Sequence, residues 1–344
     1  MSDGYFNVMS TGSYQPPFTF TNEIVGLVSR ISEALGAWSA RSATTLTPLL
    51  RRGNRIQTIQ ASLAIEHNTL SVEQVSAVID GKPVMGPPRE IQEVRNAFAA
   101  YEKLEQWQPT NEQHLLEAHR LLMMALVDDL GRYRLGGVGV YHDNKLIHMA
   151  PPANQVSRLM GGLFQWLRNT DLPPLVASCL FHYEFEFIHP FSDGNGRMGR
   201  LWQTLILARW RPELVWLPVE SVVRDRQQAY YDALGQADNA ADATPFVTFM
   251  LEALEQALEQ ALERALAEND GVSDEVNDGV NIKLDSLDLQ LLAHIRQQPH
   301  ITQDELVALT GKSASTIQRH IRKLRQYHIE RVGSDKTGYW RVVE

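Results

Sequence analysis

A single cysteine, Cys179, occurs in 344 residues, so no disulfide can form within the chain. That excludes the disulfide-stapled secreted scaffolds and fits a cytoplasmic setting. Cys179 lies in an apolar stretch and reads as a small buried hydrophobe rather than a nucleophile. Apolar runs of about eighteen residues are absent, so no membrane span is expected. Met1 to Phe20 is polar, with Gly, Ser and Pro, and lacks the basic region and apolar core of a secretory leader. Positive charge is also in deficit: 32 Lys and Arg face 41 Asp and Glu, for a formal net charge of −9. The deficit is uneven. From Lys312 to Glu344 eight basic residues face three acidic ones, a surplus of five that leaves the rest of the chain at −14. An acidic body with a basic end implies two functions on one chain. Hydrophobic content of 44% and aromatic content of 8% are ordinary for soluble globular domains, and the length suffices for two or three with real cores.

What the chain does contain is concentrated in one window, His189-Pro190-Phe191-Ser192-Asp193-Gly194-Asn195-Gly196-Arg197-Met198-Gly199-Arg200. An apolar run, Leu175 to Ile188, precedes it, and helix formers from Leu201 to Trp210 follow. The spacing predicts a loop that opens a helix. Helix N-termini bind phosphate through unpaired backbone N–H groups and the positive end of the dipole. Gly194 and Gly196 allow close backbone approach and positive φ. Arg197 and Arg200, three apart, share a face, and guanidinium forks match phosphate oxygens. Asp193 is a hard oxygen ligand suited to Mg²⁺, which takes one or two carboxylates plus phosphates. His189 has the intrinsic pKa of a general base near neutrality. Gly194 to Gly199 also spells G-x-G-x-x-G, but the dinucleotide-binding motif needs a preceding strand and the flanks here read as helix. Gly311-Lys312-Ser313 imitates the end of a P-loop, yet Leu306 stands where that motif requires glycine.

The window resembles the signature of Fic proteins, HPF-x-[D/E]-GNGR-x-x-R. Fic enzymes transfer AMP from ATP to a hydroxyl side chain of a protein and release pyrophosphate. The resemblance implies an all-α Fic fold with a short β-hairpin flap. It implies that His189 deprotonates the hydroxyl and Asp193 holds Mg²⁺ on the phosphates. Gly194, Asn195 and Gly196 form the anion turn, Arg197 contacts the phosphates and Arg200 reaches the γ-phosphate. Gly131-Arg132-Tyr133-Arg134, followed by Gly136 to Pro152, looks like the family's flap, on which a target segment docks by strand addition. Tyr230 to Leu234 and Thr244-Pro245-Phe246 look like the walls of an adenine pocket, with Tyr231 and Asn239 at the nucleotide. Ser62-Leu63-Ala64-Ile65-Glu66-His67 is similar to the family's inhibitory helix, [S/T]-x-x-x-E-[G/N], about residues 54–68. Carried over, Glu66 pairs with Arg200; Ser62, four residues earlier, shares its face. His67 departs from the family's Gly or Asn.

Apolar periodicity and composition divide the chain into an N-terminal helical region (1–110), a helical core (111–267) that the resemblance makes the catalytic one, an acidic linker (268–284) and a C-terminal domain (285–344). Expected helices are Asn22 to Trp38, Asn54 to Asn68, one from a capping box at Ser71, Arg89 to Trp107, Asn111 to Leu130, Asn154 to Asn169, Pro218 to Leu234 and Thr244 to Ala267. Gly136 to Ala150 reads as a hairpin turning at Asp143-Asn144. The leucine stripe at 251, 254, 258, 262 and 266 suits core or homodimer packing. Leu287 to Gln298, a capping-box helix from Thr302 to Thr310, a third helix from Ser313 to Tyr327 and β-prone residues from Arg331 to Val343 resemble a winged helix-turn-helix. Its reading helix carries Ser315, Gln318, Arg319 and Arg322, types that pair with base edges and phosphates, so double-stranded DNA is an expected partner. Three functions share these residues: AMP transfer restrained by Glu66, DNA-bound regulation with a nucleotide-sensing Fic domain, and removal of AMP from a target by the same site.

Overall fold

A computed structural model describes residues 14–45, 48–142, 145–269, 286–310, 312, 314–324, 329–332 and 339–342. The chain divides into two compact units, Met1–Leu46 with Arg51–Glu275, and Thr47–Leu50 with Val276–Glu344.

In the first unit the order is α1 (Asn22–Thr45), α2 (Pro48–Ile65), α3 (Val72–Ile79), α4 (Pro88–Glu102) and α5 (Glu112–Leu122). The hairpin β1 (Gly139–His142) and β2 (Lys145–Met149) follows. Then come α6 (Ala153–Asn169), α7 (Pro174–Ile188), α8 (Asn195–Trp210), α9 (Val219–Asp225), α10 (Gln227–Ala240) and α11 (Thr244–Asn269). Helix α7 is buried nearly all round, with Leu175, Val176, Leu180, Phe181 and Phe185 at or below 2% exposure, so it belongs at the centre. It packs on α8 and α11, and α1 packs on α11 in turn. Leu251, Leu254 and Leu258 are fully buried and Leu262 is half-buried, so the first half of the leucine stripe is core. The turn between α7 and α8 therefore joins two elements fixed by burial, a rigid base for a site.

Boundaries differ from expectation where tertiary contacts override propensity. Helix α2 begins at Pro48, before Asn54, with proline at its first position, where the missing N–H costs nothing. Helix α5 stops at Leu122 rather than Leu130, and Ala125 adopts φ 60° in the turns that follow. The span Pro218 to Leu234 is two helices, broken at Arg226. Arg89 to Trp107 is α4 followed by a single 3-10 turn, Leu104–Gln106. Strands β1 and β2 pair antiparallel, Gly139 opposite Met149, with a register shift between Val140 and Tyr141. The hairpin's tip, residues 143–144, lies outside the described residues, as does most of the expected linker. The capping box at Ser71 is complete, its hydroxyl accepting from Gln74 N–H and Gln74 Oε1 accepting from Ser71 N–H.

The second unit holds α12 (Ser286–Gln297), α13 (Gln303–Thr310), α14 (Ala314–Leu324) and the antiparallel pair β3 (Ile329–Val332) and β4 (Tyr339–Val342). Its core is Leu287, Leu291, Ile295, Ile301, Leu306, Ile317, Ile321, Leu324, Ile329 and Trp340. The expected capping box at Thr302 forms with Glu305. His320 and Asp288 make a buried pair at 2.6 Å that ties α14 to α12. Among the described residues no helix is long and apolar enough to cross a membrane.

Candidate active site

Helix α7 ends at His189, whose φ of 49° and ψ of 61° are left-handed. Phe191 N–H donates to Asn195 Oδ1 and Asn195 Nδ2 donates back to Phe191 O, both at 2.9 Å. The turn is thereby closed on itself, and what Asn195 presents to an anion is its backbone. His119 stacks on Phe191 with centroids 3.7 Å apart. Its Nδ1 accepts from Gly131 N–H at 3.0 Å, so its Nε2–H donates to the Asp193 carbonyl at 3.1 Å. Burial lowers the His119 pKa and keeps the ring neutral for that role.

Helix α8 begins at Asn195, inside the signature, so its free N–H groups face the turn. Gly194, at φ 87°, caps it; a Cβ there would meet Met123 Sδ at 2.6 Å. Gly196, unlike Gly194, does not take the positive φ expected of it. Its φ is helical, but a Cβ would collide with the Glu66 carboxylate.

Glu66 therefore lies against the first turn of α8. Arg200 Nη2 donates to Glu66 Oε1 at 2.7 Å and to Ser62 O at 2.9 Å, and its Nε donates to Ser62 Oγ at 3.1 Å. Arg200 is 3% exposed, whereas the Glu66 side chain keeps 33% of its exposure. Burial pushes the Glu66 carboxyl up, but Arg200 and Arg197 outweigh it and hold the carboxyl below its ordinary value. Burial likewise opposes the charge of Arg200, and the Glu66 carboxylate reverses that, raising it. His67 takes φ 68°. Its N–H reaches Ala64 O and that of Asn68 reaches Leu63 O, the Schellman ending of a helix. That position favours glycine or asparagine, which explains the pattern from which His67 departs.

Asp193 sits between two guanidiniums: Arg197 Nη2 at 2.9 Å from Oδ1 and Arg89 Nη2 at 3.2 Å from Oδ2. Glu93 joins both arginines at 3.5 and 3.6 Å and accepts from Asn68. Sequence reasoning missed Arg89, Glu93 and His119, because each comes from another helix and carries no local pattern. It also missed Glu186, whose carboxylate lies 3.8 Å from His189 Nδ1 and 3.7 Å from His182 Nε2. A buried carboxylate on an apolar helix was the available signal.

Tyr230 is buried, with its hydroxyl 3.2 Å from His182 Nε2 and its ring against Phe246. Tyr231 is half-buried with its ring 5.3 Å from that of Tyr230, and Asn239 is exposed on the last turn of α10. On α14, Gln318 and Arg319 are exposed opposite buried Ile317 and Ile321. The side chains of Ser315 and Arg322 lie outside the described residues.

One carboxylate beside an anion turn suits Mg²⁺ shared with phosphate oxygens. Among the described residues no group of three or more His, Cys, Asp or Glu could hold a metal unaided.

Residues 109–207 match the Fic/DOC family, and residues 284–329 match a winged helix-turn-helix DNA-binding family. A Fic family protein from Desulfovibrio desulfuricans G20, known from its crystal structure, is 51% identical. The alignment covers 96% of this chain and 98% of that one, with a TM-score of 0.73. This chain belongs to the Fic family and carries a C-terminal winged helix-turn-helix. Protein adenylyltransferase Fic of Nematostella vectensis is 32% identical over 58% of the chain and 47% of the relative. Its counterpart in Aedes aegypti is 29% identical over 66% and 46%. The chain thus spans about half the length of these curated relatives.

Proposed function

We propose that this protein is an adenylyltransferase that moves AMP from ATP to a hydroxyl side chain of a protein and is restrained by its own Glu66. The observation that carries the reading is the convergence of His189, Asp193, Arg197 and Arg200 around the N-terminus of α8. His189 Nδ1, 3.4 Å from the Glu186 carbonyl, serves as the N–H, which puts the imidazole lone pair on Nε2. Nε2 takes the proton as the hydroxyl oxygen bonds to the α-phosphorus. The bond from that phosphorus to the bridging oxygen breaks, and pyrophosphate leaves. The turn's N–H groups and Arg197 stabilise charge on the phosphates, and Arg200 places the γ-phosphate for in-line attack. Mg²⁺ held by Asp193 would neutralise phosphate charge. Tyr231 and Asn239 contact the nucleotide in this reading. The target's strand docks on the 136–152 flap.

Glu66 competes with the γ-phosphate for Arg200, and the bond between them supports restraint. Removal of AMP uses the same residues, with water in place of the hydroxyl. The test is label transfer from α-labelled ATP. His189→Ala should lose on the order of 10²–10⁴-fold in rate while keeping ATP affinity. Undiminished transfer by that variant would remove His189 from its role.

A second reading concerns the winged helix. We propose that residues 285–344 bind double-stranded DNA through α14, with Ser315, Gln318, Arg319 and Arg322 as contacts. The exposed Gln318 and Arg319 on the helix of a matched DNA-binding family support it.

A further inference from the structure

Arg134 is 2% exposed and makes its side-chain bonds to backbone carbonyls. Its Nε donates to His189 O at 2.7 Å, Nη1 to Gly136 O at 2.8 Å, and Nη2 to Pro151 O at 2.6 Å and Ile188 O at 3.2 Å. Its own N–H donates to Pro190 O at 2.9 Å. These acceptors fall into two sets. Ile188 and His189 are the last carbonyls of α7, which have no partner within their helix and lie at the negative end of its dipole. Gly136 and Pro151 are the two feet of the β1–β2 hairpin, one residue run before β1 and the other after β2. The backbone between the sets is drawn together by one planar cation.

His189 needs such a hold. A non-glycine residue in the left-handed region persists only where its surroundings over-determine it. Helix α7 fixes the chain before His189, and the closed Phe191–Asn195 turn fixes it after. Between them, the carbonyl of His189 itself is caught by Arg134 Nε. The same guanidinium sets the distance from that carbonyl to both ends of the flap.

We propose that Arg134 is a positioning residue that holds the imidazole of His189 and the docking flap in one register. The proposal rests on the AMP-transfer reading. A hydroxyl presented by a strand on the flap reaches His189 Nε2 only if flap and histidine keep a fixed offset, and Arg134 spans that offset. Lysine supplies the charge but not the fork, so it can serve one set of carbonyls at a time. A misplacement of about 1 Å costs on the order of 10²-fold in rate.

The test uses the full chain carrying Glu66→Gly, with Arg134, Arg134→Lys or Arg134→Met. Three quantities are read: the rate of self-labelling from α-labelled ATP, the KM for ATP, and the His189 imidazole ¹H–¹³C NMR signal, assigned against His189→Ala. Arg134→Lys, which keeps a cation at the end of α7, guards against loss of folding in Arg134→Met. Expected for Arg134→Lys is a rate about 10²-fold lower, a KM for ATP within roughly 3-fold, and a His189 signal that shifts or splits. A folded Arg134→Lys protein with an unchanged rate and an unchanged His189 signal would overturn the proposal. If the Glu66→Gly parent takes up no label, the AMP-transfer reading falls, and the His189 signal alone still decides whether Arg134 places the imidazole.

Discussion

Replacing Glu66 by glycine removes one carboxylate from a site otherwise left standing. Arg200 keeps its bonds to Ser62 Oγ and Ser62 O, so it stays in place with its Nη2 offered to a phosphate. A hydrogen bond to a charged partner contributes about 1.5–3 kcal/mol. With a third of the Glu66 side chain exposed, solvent screening argues for the lower part of that range, about 1.5–2 kcal/mol. At about 1.4 kcal/mol per factor of ten, release of Arg200 raises transfer roughly 10- to 30-fold. That is a lower bound, because the carboxylate also fills space against Gly196 where an anion would sit. Glycine at the end of α2 costs little, since the Schellman turn is made by backbone atoms. The assay compares incorporation from α-labelled ATP by wild type, Glu66→Gly, Arg200→Ala and the double variant. Only Glu66→Gly should gain. Equal labelling by wild type and Glu66→Gly would refute the restraint, and labelling by the double variant would refute the role of Arg200. The Glu66 carboxyl is held below its ordinary value in the folded protein. Its pairing is therefore complete above the ordinary carboxylate range and lost only as pH falls through the lowered folded value, so restraint should persist at mildly acidic pH.

Other outcomes can be checked independently of transfer. Burial pushes Glu184 up to about 7, against the lowering effect of the hydrogen bond from Tyr14. A raised carboxyl costs stability as pH climbs from its unfolded to its folded value, so Glu184→Gln should match wild type near pH 4.5. Above about 7 it should be more stable by roughly 3 kcal/mol, read as the urea midpoint across pH; a gain independent of pH would contradict this. His67→Gly relieves a left-handed histidine and should raise stability by about 1 kcal/mol in thermal melts without raising AMP transfer. DNA affinity of the whole chain should fall steeply with salt, and Arg319→Ala should flatten the slope of log K against log salt by about one unit. A chain without DNA affinity at low salt would assign the winged helix to protein contacts.

The sequence by itself determined what is local. The run from His189 to Arg200 predicted a phosphate-binding turn at a helix start, because glycine, capping and dipole effects act within one or two helical turns. Both capping boxes were legible for the same reason, at Ser71 and at Thr302. Helix ends were less so: α5 stops at Leu122 and Pro218 to Leu234 breaks at Arg226, where packing rather than propensity decides. Glu66 was legible only through resemblance, since nothing in the sequence around residue 66 requires a partner near residue 200. Tertiary structure alone brought Arg89 to Asp193, His119 to the Asp193 carbonyl, and Arg134 to the last carbonyls of α7. Those contacts join residues 54 to 104 positions apart. Side-chain periodicity says which face of an element is buried but not which element will cover it. A buried guanidinium then takes whatever acceptors the packed helices leave without partners, and that choice exists only once the core has formed.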